Sequence, residues 1–358
     1  MLLLYADALQ NRTLSYQRGW PRNFRQSRRF ACTLLNVMDR SVAGRLRALA
    51  LARFGRFDAV VLLHTVFSNA CYLAGVMFEA IARMRVPKAY FIGNEYKLMP
   101  EKMVFSETLG IKLLVTMNPD PRAQQMYRDR LHCAVVHIPS AALDPEQFYP
   151  TTPRESRPID IGYRAFDAPL YLGHNERREI AEFFIEHASE FGVSIDISLD
   201  PAERFDEPGW AAFLNSCKAQ LGTEAGGDYF ELTDDTRKRV TAYLDAHGDA
   251  VVSDVRSRFF DDYPDAVPIR TVSGRHVEAA GTRTVQLLLE GNYSGYFKPD
   301  VHYIPLRKDF SNAADAVEKF RDEAFCRELT ENAYAVVHEE LTYERLIDRF
   351  ADALEPLL

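Results

Sequence analysis

Cysteine is scarce in this chain and poorly placed for chemistry. The 358 residues hold five, Cys32, Cys71, Cys133, Cys217 and Cys326, scattered and never in CxxC spacing. An odd, dispersed set argues against a disulfide framework or a zinc site and fits reduced core thiols in a cytosol. Long apolar runs are also missing, and no stretch approaches the roughly 18 residues of a membrane span. The opening Met-Leu-Leu-Leu-Tyr-Ala-Asp has no basic segment before its apolar run, so it reads as a first strand and not as a secretory leader. Asp-x-Asp, HExxH, G-x-x-x-x-G-K-[ST] and G-x-G-x-x-G are absent. A metal-held nucleotide, a zinc hydrolase, a P-loop NTPase and a standard dinucleotide dehydrogenase therefore all lack their parts.

What is present suits a soluble, cytoplasmic globular protein. Hydrophobic residues make up 47% and charged residues 26%, and the length favours two domains over one. Short apolar runs at 2–6, 59–64, 89–93, 112–116 and 134–139 read as strands, separated by helical patterns near 25–52, 68–84, 100–108 and 120–131. That alternation predicts a parallel sheet covered by helices on both faces. The polar, proline-containing segment 151–158 is the best boundary, dividing 1–150 from 156–338. Beyond it, strands are expected at 159–163, 193–199, 219–222, 250–253 and 284–289. Helices are expected near 175–191, 206–216, 235–247, 274–280 and 312–332. The closing stretch 339–358 has helical spacing with one apolar face.

Ligands on parallel sheets gather at the carboxyl ends of strands. His64 and Glu95 fall at such ends in the first half and are the candidate general bases, each with an alternative life as a packed or surface residue. In the second half Arg164 follows a strand, and Arg177 and Arg178 sit near a helix start, where guanidinium forks suit diphosphate. Gly222-Thr-Glu-Ala-Gly-Gly227 could let backbone approach a ligand, or be a flexible turn. Ser273-Gly274-Arg275-His276 opens a short helix whose first amides are unpaired. Anions are favoured there, and Arg275 and His276 in the first turn are locally unfavourable until an anion arrives. Glu278 is placed to accept hydrogen bonds from ribose or sugar hydroxyls.

Charge is distributed unevenly. Residues 12–56 hold eleven arginines and one acid, Asp39, for a local charge of +10 within a chain of net −8. With Tyr16, Trp20, Phe24, Phe30 and Phe54 interleaved, this stretch suggests peripheral contact with an anionic membrane at its inner face, or a lipid-diphosphate acceptor. A solvated helix face pairing with acids elsewhere is the alternative. The acidic total and the lack of a recognised module argue against nucleic acid.

Ile-Gly-Tyr-Arg164, Leu-Gly-Thr-Glu224-Ala-Gly, Ser-Gly-Arg-His276-Val-Glu-Ala-Ala-Gly-Thr282, Glu290-Gly-Asn-Tyr-Ser-Gly, His302-Tyr-Ile-Pro-Leu and the segment 138–149 together resemble the group 1 glycosyltransferases of GT-B fold, in particular the CgeB-like branch. The resemblance implies two Rossmann-like domains facing across a cleft, acceptor held mainly by the first and nucleotide-diphosphate-sugar mainly by the second. It also implies a closing helix that crosses back to the first domain. Arg164, Arg177, Glu224, Ser273, Gly274, Arg275, His276, Glu278 and Thr282 would bind the donor, with Arg164 on the diphosphate and Glu278 as the second acid of an E-x7-E pair. The first acid is missing, because Arg270 stands in its place. The implied activity is transfer of a sugar to a hydroxyl of a glycan, a lipid-linked glycan or a protein, with no metal or other cofactor required. An inverting reaction would need a base such as His64 or Glu95; a retaining one would not. A nucleotide-sugar epimerase or hydrolase, and a non-catalytic sugar-nucleotide or glycan-binding protein, are the alternatives on the same scaffold.

Overall fold

The computed structural model describes residues 1–7, 15–261 and 266–358. The first half runs β1 (Leu2–Tyr5), α1 (Ser15–Gln26), β2 (Thr33–Asn36), α2 (Val42–Phe54), β3 (Val60–Leu62), α3 (Gly75–Ala82), β4 (Lys88–Phe91), α4 (Met99–Leu109), β5 (Leu113–Thr116), α5 (Pro121–Leu131) and β6 (Ala134–His137). Its strands form one parallel sheet of six in the order β2-β1-β3-β4-β5-β6. The second half runs β7 (Ile159–Arg164), α6 (Glu176–Phe191), β8 (Ile195–Ser198), α7 (Glu207–Ser216), β9 (Cys217–Gly222), β10 (Ala225–Gly227), α8 (Asp235–Ala246), α9 (Val252–Phe259), β11 (Ile269–Thr271), α10 (Gly274–Gly281), β12 (Val285–Leu289), β13 (Ile304–Leu306), α11 (Ala313–Arg321), α12 (Glu323–Glu340) and α13 (Tyr343–Leu354). Five of its strands form a second parallel sheet, β13-β12-β9-β7-β8, while β10 and β11 make a small antiparallel pair beside it.

Three expectations change. The strand β2 lies inside the stretch 25–52 that reads as one helix. Its Leu34 and Leu35 pair with Leu3 and Leu4 at the edge of the sheet, and that pairing outweighs the arginine spacing around them. Residues 250–253, expected as a strand, open the helix α9 instead, where the Asp254 carboxylate accepts from the Val251 amide and Val251 itself is exposed. The expected helix at 312–332 is two helices, because the Asp322 side chain caps a new one by accepting from the Ala324 and Phe325 amides.

The closing helix begins at Tyr343, where the Thr342 hydroxyl accepts from the Arg345 amide. It does cross back: Leu346, Ile347 and Phe350 join Leu3, Val61, Trp20, Phe24 and Phe91 of the first half in one buried cluster. The Phe350 ring sits 5.6 Å from Phe24 and 5.1 Å from Phe91. Gly19 makes this docking close, since a Cβ there would lie 2.0 Å from the Tyr343 hydroxyl. A second tie runs alongside, with Leu143 donating its amide to Leu341 at 2.7 Å. The same cluster reaches Val277 and Leu288 of the second half, so the two sheets meet through apolar packing as well as across a cleft.

Candidate anion-binding cleft

A cavity of about 390 Å³ opens between the carboxyl ends of the two sheets. His64, Gly93 and Met117 face it from beyond β3, β4 and β5, and Arg164, Thr223 and the start of α10 face it from the second half. Parallel strands ending on both sides of one gap place loops and helix starts, not side-chain ladders, against a ligand.

The start of α10 is the most directed feature. His276 and Val277 donate their amides to the Ser273 carbonyl, and the Ser273 amide donates to His276 Nδ1 at 3.0 Å. The imidazole, on the third residue of the helix, thus satisfies the amide of the residue that precedes it, one half of a capping box. Gly274 and Arg275, which line the cavity, are left without a backbone acceptor for their amides among the described residues. Burial, with Arg275 adjacent, pushes the His276 imidazole down to about 3, so it stays neutral and acts as an acceptor toward Ser273. Its ring fits there because residue 222 is glycine: a Cβ would lie 2.6 Å from Leu288 and 3.1 Å from His276 Nε2.

Four guanidinium groups converge on this cavity. Arg164 donates to the Asp196 carboxylate at 2.7 Å and lies over Phe213 at 4.6 Å. Arg275 lies over the Tyr163 ring at 5.2 Å, and Arg177 and Arg204 lie over Phe166 at 4.9 and 5.4 Å. Among the described residues no carboxylate forms an ion pair with Arg177, Arg204 or Arg275. Burial, and then the neighbouring Arg177 and Arg204, lower the affinity of Arg275 for its proton. Such mutual repulsion in a partly desolvated pocket is relieved by a bound anion.

Opposite stands His64, 5% exposed, its ring 5.2 Å from that of Tyr16. Its Nε2 has no hydrogen-bond partner among the described residues. Burial pushes the imidazole down to about 4, leaving it neutral and able to accept a proton. Glu278 also lines the cavity, accepting from Trp210 Nε1 at 2.7 Å and from the Ser15 hydroxyl of α1. Burial pushes its carboxyl up, and those two donors pull it back.

Other expected residues lie outside the cavity lining. Glu95 is fully buried, accepting from the Thr116 and Tyr127 hydroxyls, the latter at 2.6 Å, and from the Met117 amide at 2.8 Å. A base must reach its substrate, and this carboxylate is enclosed by its own sheet. Glu224 accepts from the Tyr293 amide at 2.7 Å and so holds the 290–295 turn. Thr282 is buried at the end of α10, donating to the Glu278 and Ala279 carbonyls. Arg178 pairs with Asp167 and Glu182 on an exposed face.

Arg270 points away from the cavity that Ile269 and Thr271 line, as strand alternation requires. It forks onto Glu176 at 2.7 and 3.1 Å and onto Asp228 at 3.0 Å. Burial would raise the Glu176 carboxyl, but Arg270, His174 and Lys308 hold it at about 2. Within 12–56, residues 12–14 lie outside the described residues. Of the interleaved aromatics, Trp20 and Phe24 are fully buried, Phe30 packs on Phe350 and Tyr16 on His64, leaving Phe54 exposed. Arg204 is a cavity residue that sequence reading missed, as are Glu207 and Trp210; the signal for Arg204 was a cation six residues beyond the end of the strand β8.

The cleft and its two parallel sheets define a class, and known proteins share it. No family profile matches the chain. Protein 035R of Invertebrate iridescent virus 3 is 39% identical over 66 residues, which cover 18% of this chain and 6% of that protein. Two solved structures align end to end. A DNA-modifying beta-glucosyltransferase, crystallised with and without uridine diphosphoglucose, has a TM-score of 0.54 at 9% identity, covering 99% of this chain and 100% of its own. Alr3699/HepE from Anabaena, in complex with UDP-glucose, has a TM-score of 0.51 at 9% identity and full coverage of both chains. The chain has the GT-B fold: two Rossmann-like units facing across a cleft, with the terminal helix returning to the first.

Proposed function

We propose that the protein is a glycosyltransferase, on the group 1, CgeB-like pattern, that moves a sugar from a nucleotide-diphosphate-sugar to an acceptor hydroxyl. The observation that carries this reading is the set of unpaired cations and amides at one wall of the cleft, Arg177, Arg275 and the Gly274 and Arg275 amides, facing a neutral, unpartnered His64 at the other. As the bond from the anomeric carbon to the diphosphate breaks, its electron pair goes to the leaving oxygen. The guanidiniums and helix-start amides stabilise that charge, which is the role of preorganised donors in any such departure. Arg164, held by Asp196, fixes the geometry of the same wall. The acceptor oxygen bonds to the anomeric carbon, and its proton passes to His64 Nε2. A bound diphosphate raises the basicity of His64, because an anion nearby favours imidazolium. Glu278 accepts from the ribose or sugar hydroxyls once Ser15 releases it.

In this proposal the arginines supply the leaving-group charge and no metal is needed. The acceptor is a glycan, a lipid-linked glycan or a protein. A membrane-borne acceptor is favoured by α2, whose Val42, Leu46 and Phe54 are 76%, 62% and 79% exposed among Arg45, Arg47 and Arg53, with no acid in the helix. No helix among the described residues is long and apolar enough to cross a membrane. That face suits peripheral contact with an anionic cytoplasmic leaflet. The test is thermal stabilisation by a panel of nucleotide-sugars, followed by transfer assays with and without chelator. Selective stabilisation and chelator-resistant transfer are expected; no stabilisation by any nucleotide-sugar refutes the reading.

A further inference from the structure

A second cavity, of about 560 Å³, opens on the first half of the chain between the end of β1 and one face of α1. It borders the cleft on the His64 side. The amide of Ala6, a lining residue, donates to the Thr65 hydroxyl at 3.0 Å, and Thr65 follows His64 directly. Gln17 lines both cavities, with its Oε1 buried and without a hydrogen-bond partner among the described residues. Arg22 stands between them as well, lining the second cavity while it pairs with Asp144 and, at 3.3 Å, with the cleft residue Glu207.

The second cavity is cationic. Helical spacing puts Arg18, Arg22 and Arg25 on one face of α1, a helix that holds no acid, and Asp7 is the only acid among the described lining residues. Arg22 is committed to its two acids. Arg18 reaches Asp7 only at 3.9 Å, with side chains 48% and 42% exposed, and a pair so open to water contributes little. Arg25 forms no ion pair among the described residues. On α2, Arg47 donates to the carbonyl of the lining residue Leu34 at 3.3 Å and likewise has no carboxylate partner among them. Guanidinium charge is thus left over at the carboxyl end of a parallel strand, where ligands collect.

We propose that this cavity takes the phosphate or diphosphate of the acceptor, gripped by Arg18 and Arg25, while the reacting hydroxyl of the acceptor passes Gln17 to reach His64. This rests on the glycosyltransferase reading above. Guanidinium forks match phosphate oxygens through paired hydrogen bonds, and Gln17 Oε1 accepts from a sugar hydroxyl in the gap between the two cavities. The recognised chemistry is the same for a soluble sugar phosphate and for a lipid-linked sugar diphosphate.

Calorimetric titration of pyrophosphate, farnesyl diphosphate and farnesol into protein saturated with UDP, which fills the cleft, tests it. Both diphosphates are expected to bind, with farnesol weaker than farnesyl diphosphate by about tenfold or more, the scale of one charge-assisted pair. Arg18→Gln with Arg25→Gln, at two exposed positions, should lower diphosphate affinity by about tenfold or more and leave UDP affinity within about twofold. Farnesyl diphosphate binding more tightly than pyrophosphate assigns the site to a lipid-borne acceptor; pyrophosphate binding at least as tightly assigns it to a soluble one. No diphosphate binding to the UDP-saturated protein, or unchanged affinity in the double variant, overturns the proposal. So does farnesol binding as tightly as farnesyl diphosphate. Should UDP fail to bind the wild type, the glycosyltransferase reading falls and the titrations are read on Arg275→Ala instead. Diphosphate binding that survives there but is lost in the double variant still places the site in the second cavity, and binding lost in Arg275→Ala removes it.

Discussion

Replacing Arg275 by Ala should have opposite effects on the empty and the loaded protein. In the empty cleft Arg275 lies close to Arg177 and Arg204 with no ion-paired acid of its own, and its charge is partly desolvated over Tyr163. Removing it relieves repulsion, so unliganded stability should hold or rise. A charge-assisted hydrogen bond to a diphosphate contributes about 1.5–3 kcal/mol. Taking about 2 kcal/mol, the Kd for UDP rises roughly 30-fold. At a UDP concentration about 100 times the wild-type Kd, ligand stabilisation then falls from about 2.7 kcal/mol to about 0.9 kcal/mol. The assay is a pair of denaturation series with and without UDP, repeated with UMP, which has one phosphate fewer and should lose less. Unchanged UDP affinity in the variant, or equal losses for UDP and UMP, would refute the assignment of Arg275 to the diphosphate.

Four further outcomes follow from the structure. His64→Gln should cut transfer by about 10²–10⁴-fold while leaving UDP affinity unchanged, measured as kcat against Kd; a proportional loss of UDP binding would make His64 a structural residue. Because burial holds His64 at about 4 and His276 at about 3, the unfolded chain binds more protons than the folded one below the ordinary histidine value of 6.5. Stability should therefore be full above about pH 6.5 and fall toward pH 4, by up to ~1.4 kcal/mol per pH unit for each such histidine. His64→Gln should flatten the slope of urea midpoint against pH, and an unchanged slope contradicts the burial argument. Arg270→Glu restores the missing acid of the pair but sets it against Glu176 and Asp228, so it should destabilise by about 3–5 kcal/mol without improving donor binding; a variant as stable as wild type sinks that account. Leu46→Glu with Phe54→Glu, both exposed, should leave the melting temperature unchanged and abolish co-sedimentation with anionic liposomes, and retained binding would move the contact elsewhere.

Local pattern was enough to reveal parallel sheets covered by helices. Alternating apolar runs and amphipathic stretches fixed the order of most strands and helices, because the period of side-chain burial is a property of each segment alone. The helix start at 273–276 was also legible, since unpaired amides follow from any helix N-terminus. What the tertiary structure decided was which side chains share a space. Glu95 and His64 look alike as polar residues at strand ends, yet one is held by Thr116 and Tyr127 away from the cleft and the other lines the cleft with a buried, unpartnered Nε2. Arg270 and Arg275 are five residues apart, but strand alternation sends the first to Glu176 while the helix turn sends the second to the cavity. Trp20 and Phe24, interleaved with arginines in sequence, are core because α13 returns from the far end of the chain to cover them. Arg204 became a site residue in the same way. Spacing along the chain sets which face a residue occupies; only the packing of distant segments sets what that face meets.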